Sequence, residues 1–501
     1  MNYQESLSRA LLVPICEKGA STEVTCEHVL PDYEEEIRRL LRVNVTVLPP
    51  QNYVGGGNAS FAGSLRFDLW YLSPEGKLCM AKVTEGYELS SPLEKDADVD
   101  YSDEIAAFCD VLCESVNSRV LAPRKLSLKC RLRGRVRAYG RSLLTEQMNG
   151  DFSPEGLERL VETADAAFFA SALSEELEAS DELETGRTGE LRILGGEGTV
   201  QVSQAQCEDG AVLCRGDLLL RILAESGEGT PYVLRATLPF SERIEGDGFR
   251  DGMSARAFGS IRDLDLDESD GKVNVNASFR LAAEAQENLG VPYTRDLYST
   301  TRTTEAVFAQ KSYPHAAACR MGNFTQSLYE PMEKYGLESG AEILDLSARA
   351  TAESVICDRG RWALVGESRM ELLVLTDGEY RCVEIPVPFR YEFEAPCGEV
   401  ESFFAELHMT GGRARLDGGK LSLDCEMGVS LRLCLLHKAQ MLRSVNFGEH
   451  VTESGDCVVC FPRGGDTLWE IAKRYHTPLA RLRAQVKNDS DALPSYLIVK
   501  N

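Results

Sequence analysis

A threefold recurrence constrains this chain more than any other feature of its 501 residues. Around Gly63 it reads Phe61-Ala-Gly-Ser-Leu-Arg-Phe-Asp-Leu-Trp-Tyr-Leu72, then a Pro74-Glu-Gly76 turn, then Leu78 to Tyr87. Around Gly216 it reads Leu213 to Leu223, Gly227-Glu-Gly229, Tyr232 to Leu238 and Pro239-Phe240. Around Gly366 it reads Leu364 to Leu375, Asp377-Gly378, Tyr380 to Val387 and Pro388-Phe389. The three glycines lie 153 and 150 positions apart. Each copy closes on an alternating run: Leu126-Ser-Leu-Lys-Cys-Arg-Leu132, Val273-Asn-Val-Asn-Ala-Ser-Phe279 and Leu421-Ser-Leu-Asp-Cys-Glu-Met427. Apolar residues at every second position form a strand with one buried face, and Asp270-Gly271 and Gly418-Gly419 mark hairpin turns before two of these runs. A pattern that keeps its turns and strands while its loops vary is a repeated domain.

The fold class that follows is mainly β with helical connectors. It comprises three repeated β-rich domains of sandwich or curled-sheet type and a small βααβ module at the end. The expected division is repeat 1 with an N-terminal extension over 1–145, a helical connector over 146–188, and repeat 2 over 189–290. An irregular connector over 291–340, repeat 3 over 341–448 and the terminal module over 455–501 follow. Helical spacing suggests short helices over Leu30–Leu41, capped by Asp32 with Glu35, and over Ser102–Val116, where Ile105, Phe108, Cys109, Leu112 and Val116 share a face. A longer helix is expected over Phe152–Ala179.

The terminal module begins Gly464-Gly-Asp-Thr-Leu-Trp-Glu-Ile-Ala-Lys-Arg-Tyr-His-Thr-Pro-Leu479. Thr467 with Glu470 makes a capping box, and Leu468, Ile471, Ala472 and Tyr475 give the helix one apolar face. Trp469 falls off that face, which points it to solvent or a partner. Thr477-Pro478 restarts a helix with Leu479, Leu482 and Val486 inside. Cys457–Phe461 and Tyr496–Val499 suit two strands.

This stretch resembles a LysM module, whose usual opening is a strand followed by Gly-Asp-Thr-Leu-Trp-x-Ile-Ala. The resemblance implies binding of N-acetylglucosamine-containing glycans such as peptidoglycan, or of a protein. Two departures stand out: His476 occupies a position where Gly is common, and Leu493-Pro-Ser-Tyr-Leu-Ile-Val499 lacks the usual Pro-Gly before the last strand. That loop is one wall of the family's glycan groove, so a protein ligand is favoured. The candidate partner-binding residues are Gly465, Asp466, Thr467, Trp469, Lys473, Arg474, Lys487 and Asn488.

Charge narrows the partners. The chain carries a formal −25, which argues against nucleic acid or an anionic membrane surface. From Asp456 onward, seven Lys/Arg face five Asp/Glu, so a mildly basic tail follows an acidic body and suits an acidic protein surface. The N-terminus lacks a basic stretch followed by an apolar one, so no secretory signal is expected, and no apolar run reaches membrane-spanning length. Sixteen dispersed cysteines are read as reduced thiols. Cys457 and Cys460, three apart in a strand, point to opposite faces, so no metal site is expected there.

No phosphate loop, His-Glu-x-x-His or Gly-x-Ser-x-Gly elbow occurs, and the six histidines are dispersed, so neither enzymatic activity nor a cofactor is expected.

Taken together, the Leu30-Pro-Asp-Tyr…Ile37-Arg-Arg-Leu-Leu41 entry, the Gly-x-Leu…Pro-Phe strands, the Asp296-Leu-Tyr-Ser299 connector and the terminal module resemble the SipL-like family of spore-coat assembly proteins. Those proteins are built of SPOCS domains and a C-terminal LysM. The resemblance implies a tether in the mother-cell cytoplasm at the forespore surface, with the LysM docking the coat ATPase SpoIVA. The β repeats would serve as scaffold or self-associate. The alternative is a peptidoglycan-binding cell-wall or phage-structural protein.

Overall fold

The computed structural model describes residues 11–48, 50–93, 101–142, 156–185, 191–227, 231–269, 271–451, 457–486 and 493–500. The first seven strands are β1 (Leu11–Val29), β2 (Arg39–Val47), β3 (Gln51–Gly55), β4 (Asn58–Leu72), β5 (Leu78–Pro92), β6 (Tyr101–Ala122) and β7 (Lys125–Ser142). A second set follows: β8 (Leu157–Leu173), β9 (Leu177–Glu184), β10 (Leu191–Glu208), β11 (Ala211–Ser226), β12 (Pro231–Glu245), β13 (Ser254–Ser269) and β14 (Lys272–Ser299). The third is β15 (Arg302–Pro331), β16 (Glu342–Asp358), β17 (Arg361–Thr376), β18 (Glu379–Phe393), β19 (Glu399–Asp417) and β20 (Lys420–His450). The tail holds β21 (Cys457–Cys460), α1 (Leu468–Arg474), α2 (Leu479–Arg483) and β22 (Leu497–Lys500).

The three sets share one plan. The first strand of each pairs with the last, and a hairpin partner completes that sheet: β1-β7-β6, β8/β9-β14-β13 and β15-β20-β19. The strands between form an antiparallel meander: β2/β3-β4-β5, β10-β11-β12 and β16-β17-β18. In the first set β2 and β3 together occupy the edge of β4 that a single strand fills elsewhere. Pro50 falls at the break, as expected of a residue that cannot donate to a ladder. The two sheets of each set bury one core between them, as in β7, where Leu126, Leu128, Cys130 and Leu132 are all buried.

Strand accounts for 78% of the described residues and helix for 4%, so the mainly-β reading stands and the helical connectors do not. Within 146–188 lie β8 and β9, and within 291–340 lie the end of β14, all of β15 and a single 3-10 turn at Met332–Tyr335. Both connectors are thus edge strands laid on long last strands. Leu157–Leu173 is rich in helix formers, but the open edge of β14 gives the whole run a cross-strand partner. Ser102–Val116 belongs to β6, and there Ile105, Ala107, Cys109, Val111 and Cys113 supply a period of two that the helical spacing obscured. Leu30–Arg38 is a turn leading into β2, not a helix.

The three sandwiches close into a ring: β5 lies against β10, β12 against β16 and β18 against β2. Equivalent residues meet at its centre. Leu41, Leu194 and Leu344 stand 153 and 150 positions apart, as do Trp70, Leu223 and Leu373, and all six belong to one apolar cluster. Beside this plug lie the equivalent residues Asn44, Glu197 and Ser347. A charge repeated three times about an axis would repel itself, and here one position of the three carries it.

Candidate functional site

The tail folds by the rules its sequence suggested. Glu470 N donates to Thr467 Oγ1 (3.2 Å) and Thr467 N to Glu470 Oε2 (2.9 Å), completing the capping box. Ile471, Ala472, Leu482, Leu497 and Val499 form the inner side, and Cys460 is buried beneath β21 while Cys457 faces out. Pro478 occupies the N-cap position of α2 without a side-chain cap bond, its carbonyl accepting the amide of Arg481 (3.0 Å), while Thr477 is buried before it.

Trp469 does not point to solvent. It is 8% exposed and packs edge-on against Tyr298, with ring centroids 5.0 Å apart. Its Nε1 donates to Asp296 Oδ2 at 2.7 Å, and Lys473 Nζ donates to Oδ1 of the same carboxylate at 2.6 Å. Tyr298 donates its hydroxyl to the carbonyl of Thr477 (2.8 Å), and His476 Nδ1 lies 2.8 Å from the carbonyl of Ser299. Leu160 of β8 packs against the same cluster. The residue expected to reach a separate partner is therefore seated on the chain's own body. The reason is visible in its chemistry: an indole has a large apolar face and one donor, and Tyr298 and Asp296 satisfy both.

The seat is made by the end of β14. The pairing of β14 with β8 slips between Thr294 and Asp296, a bulge of the kind that re-aims side chains. Arg295 pairs with Glu162 of β8, whereas Asp296 turns to the tail and also accepts the amide of Leu297 (2.8 Å). His476 adopts φ +50°, the left-handed conformation for which Gly is usual, and its ring makes the contact to Ser299 that a Gly lacks.

The remaining candidates lie apart from the seat. Gly465 is an exposed turn residue at φ +98°. Asp466 accepts the amide of Arg463 (3.0 Å) and pairs with Arg474 (3.2 Å), and those two interactions hold its carboxyl below the ordinary range. Thr467 is committed to the cap. Gly464–Thr467 and Arg474 thus form an exposed first loop whose hydrogen bonds run within the tail, while Lys487 and Asn488 fall outside the described residues.

A second polar centre lies on the ring axis, in residues that sequence reading passed over because carboxylates are abundant. Glu197 Oε1 accepts from Arg42 (2.9 Å), Asn44 (2.7 Å) and Trp70 Nε1 (2.8 Å), and Oε2 accepts from Arg221. Arg42 continues to Ser347 (2.9 Å) and Arg221 to the carbonyl of Leu346 (2.8 Å), so all three sandwiches are joined. Desolvation pushes the Glu197 carboxyl up, but Arg42 and Arg221 outweigh it and hold it well below the usual range. A matching knot sits in the other three sheets. Arg137, Glu284 and Arg432 stand twelve residues after Lys125, Lys272 and Lys420, and Glu284 accepts from Arg432 (2.6 Å) and twice from Arg256 (3.0 and 2.5 Å). Desolvation is again outweighed, by Arg256 and Arg432, and its carboxyl lies at about 2.

Both glutamates line a cavity of about 1730 Å³ to which all three sandwiches contribute. Glu406 and His408, two apart on β19, also line it. Desolvation raises the Glu406 carboxyl to about 8, against the pull of Arg256 and with help from Glu284, and lowers the His408 imidazole to about 4.

Among the described residues no group of three or more His, Cys, Asp or Glu is placed to hold a metal ion, and no helix is long and apolar enough to cross a membrane. No curated protein and no solved structure matches the chain. Residues 463–495 match the family model of the LysM domain, so the chain carries a LysM domain after its three sandwiches.

Proposed function

We propose that this chain is a non-enzymatic adaptor of spore-coat assembly similar to the SipL-like family, acting in the mother-cell cytoplasm at the forespore surface. Its LysM domain docks the coat ATPase SpoIVA, and its three sandwiches are the scaffold that carries it. One observation carries this reading. The Asp296-Leu-Tyr-Ser299 segment and the LysM domain, both part of the family resemblance, meet in space although Asp296 and Trp469 are 173 residues apart. A domain held at a fixed angle on a rigid ring suits an adaptor, because pre-ordering lowers the entropic cost of each further contact.

Among the described residues, the first loop, Gly464–Thr467 with Arg474, offers a ligand an open surface, and a second reading is compatible with it. The LysM resemblance implies a glycan as readily as a protein, so peptidoglycan binding is equally compatible with the domain itself. Retention of the full chain on immobilised SpoIVA and on purified peptidoglycan, measured side by side, separates the two. The adaptor reading expects retention on the ATPase, abolished by deleting 455–501; retention on glycan alone overturns it.

A further inference from the structure

Two surface thiols meet at one end of the third sandwich. Cys357 Sγ and Cys397 Sγ are 3.9 Å apart, 40 residues separate them in sequence, and both side chains are exposed. Neither is held loosely. Cys357 is the second-last residue of β16 and is cross-strand partner to Trp362. The two-residue turn that follows places Arg359 at φ +49° and Gly360 at φ +81°, the tight hairpin geometry in which the strand ends have little play. Cys397 follows Pro396, whose carbonyl accepts the indole N–H of buried Trp362 at 3.0 Å. Its sulfur then lies over the turn, 3.9 Å from the point a Cβ on Gly360 would occupy.

Among the described residues, the other cysteines lack this combination of proximity and access. Cys113 and Cys130 approach to 3.3 Å, but Cys130 is wholly buried, and Cys457 and Cys460 sit on opposite faces of β21. A disulfide needs its sulfurs about 2.05 Å apart, so the 357–397 pair must close by roughly 1.9 Å. Rotation of the two exposed side chains about their Cα–Cβ bonds is the movement that closes that distance, Cys357 standing on β16 and Cys397 in the segment before β19.

We infer that Cys357 and Cys397 are a redox modification site that closes to an intramolecular disulfide by exchange with a low-molecular-weight disulfide. One thiol loses its proton, and its thiolate attacks the small disulfide, forming a mixed disulfide and releasing one small thiolate. The second cysteine, deprotonated in turn, attacks the protein sulfur of that mixed disulfide and expels the second small thiolate. Two protein thiols become one disulfide, the reagent is reduced by two electrons, and two small thiols carry away the two protons. The new bond joins the β16–β17 turn to the segment entering β19, and so ties the two sheets of this sandwich at one end. It leaves the LysM loop and the axial cavity untouched.

Peptide mapping of the full-length native protein tests this directly. The chain is incubated with about 1 mM oxidised glutathione, free thiols are blocked, and the protein is digested with trypsin without reduction. Cys357 lies in the fragment 350–359 and Cys397 in 391–413, each with no other cysteine. The two fragments joined, two hydrogens lighter than their sum and separated by dithiothreitol, should exceed their glutathione adducts by about tenfold, since the second step is intramolecular. The Cys397→Ser variant should instead retain glutathione on Cys357. Adducts on both cysteines of the wild type, or joined dimers of one fragment, overturn the proposal, and that result does not depend on any variant folding.

Discussion

The indole nitrogen of Trp469 lies 2.7 Å from Oδ2 of Asp296, and Lys473 holds the other oxygen of the same carboxylate at 2.6 Å. One side chain of β14 therefore anchors both polar groups by which α1 faces the body. Replacing it by alanine leaves a mostly buried indole N–H without an acceptor, a loss of about 1–3 kcal/mol, with a smaller contribution from the half-exposed Lys473. Asp296→Ala should unseat the LysM domain while the domain stays folded on its own core. Fluorotryptophan NMR resolves three indoles, and the Trp469 signal should shift and sharpen. An unmoved signal would mean that Tyr298 and His476 suffice to hold the seat.

His476 sets two stabilities against each other. Its left-handed backbone costs roughly 1 kcal/mol that glycine does not incur, so His476→Gly should raise the unfolding midpoint of the isolated domain 455–501. In the full chain the same change removes the contact to Ser299, and amide exchange in Leu468–Arg474 should accelerate. Equal protection in both proteins would show that the ring contributes nothing to docking.

Much of this architecture is written plainly in the sequence, and the misread parts have physical reasons. The recurrence about Gly63, Gly216 and Gly366 located the three meanders, and the strands starting at Lys125, Lys272 and Lys420 located the last strands. The first strand of each sandwich was missed, because edge strands such as β8 and β15 are selected by the open edge they cover and carry little alternation of their own. The seat was half legible. Asp296-Leu-Tyr-Ser299 was conspicuous, but nothing local in it announces a partner 173 residues away, and Trp469 off its helix face looked free for the same reason. The axial knots were invisible, since a glutamate about to be surrounded by arginines from other repeats has the same neighbours in sequence as any other.

The recurring glycines differ in what they tolerate. A Cβ on Gly366 would stand 2.0 Å from the carbonyl oxygen of Thr351, and one on Gly216 2.1 Å from that of Gln201. Both obstacles are backbone atoms of the neighbouring strand, next to a register slip, and cannot move without opening the ladder. On Gly63 the nearest atoms, at 2.5 Å, belong to the ring of Tyr87, a side chain that can rotate. Gly216→Ala and Gly366→Ala should each cost about 3 kcal/mol or more in urea unfolding, and Gly63→Ala distinctly less. The reverse order would mean that the Tyr87 ring cannot turn aside and that the β-ladders at Gly216 and Gly366 can open.

Glu197 should be the least replaceable carboxylate. Removing it takes from Arg42 and Arg221 the carboxylate they share and leaves them only the longer pairs to Glu371 (3.5 Å) and Asp345 (3.4 Å), so the loss is only part of the roughly 3–5 kcal/mol of a broken buried pair. Glu197→Ala should therefore separate the sandwiches in denaturant, giving a biphasic transition where the parent unfolds in one step. A single step at the parental midpoint would show that the apolar plug of Leu41, Leu194 and Leu344 is sufficient.

Acidity should act on the ring through residues that titrate in opposite senses. Glu406 is raised in the folded chain from the ordinary 4.5 to about 8, so between those values the native state holds a proton that the unfolded chain has released. Stability then falls as pH rises through that window, by at most about 1.4 kcal/mol per unit, and is unaffected by this group below 4.5. His408 works from the other side. Lowered from 6.5 to about 4, it stays neutral when folded, and its contribution is lost as pH falls through that interval. Glu284, held at about 2, withdraws its own support below 4.5. The parent protein should accordingly be most stable near pH 5–6. Glu406→Gln removes the alkaline limb alone: its urea midpoint should equal the parent's near pH 4.5 and exceed it increasingly up to pH 8. A constant difference across that range would mean that the carboxyl of Glu406 is already ionised in the folded ring.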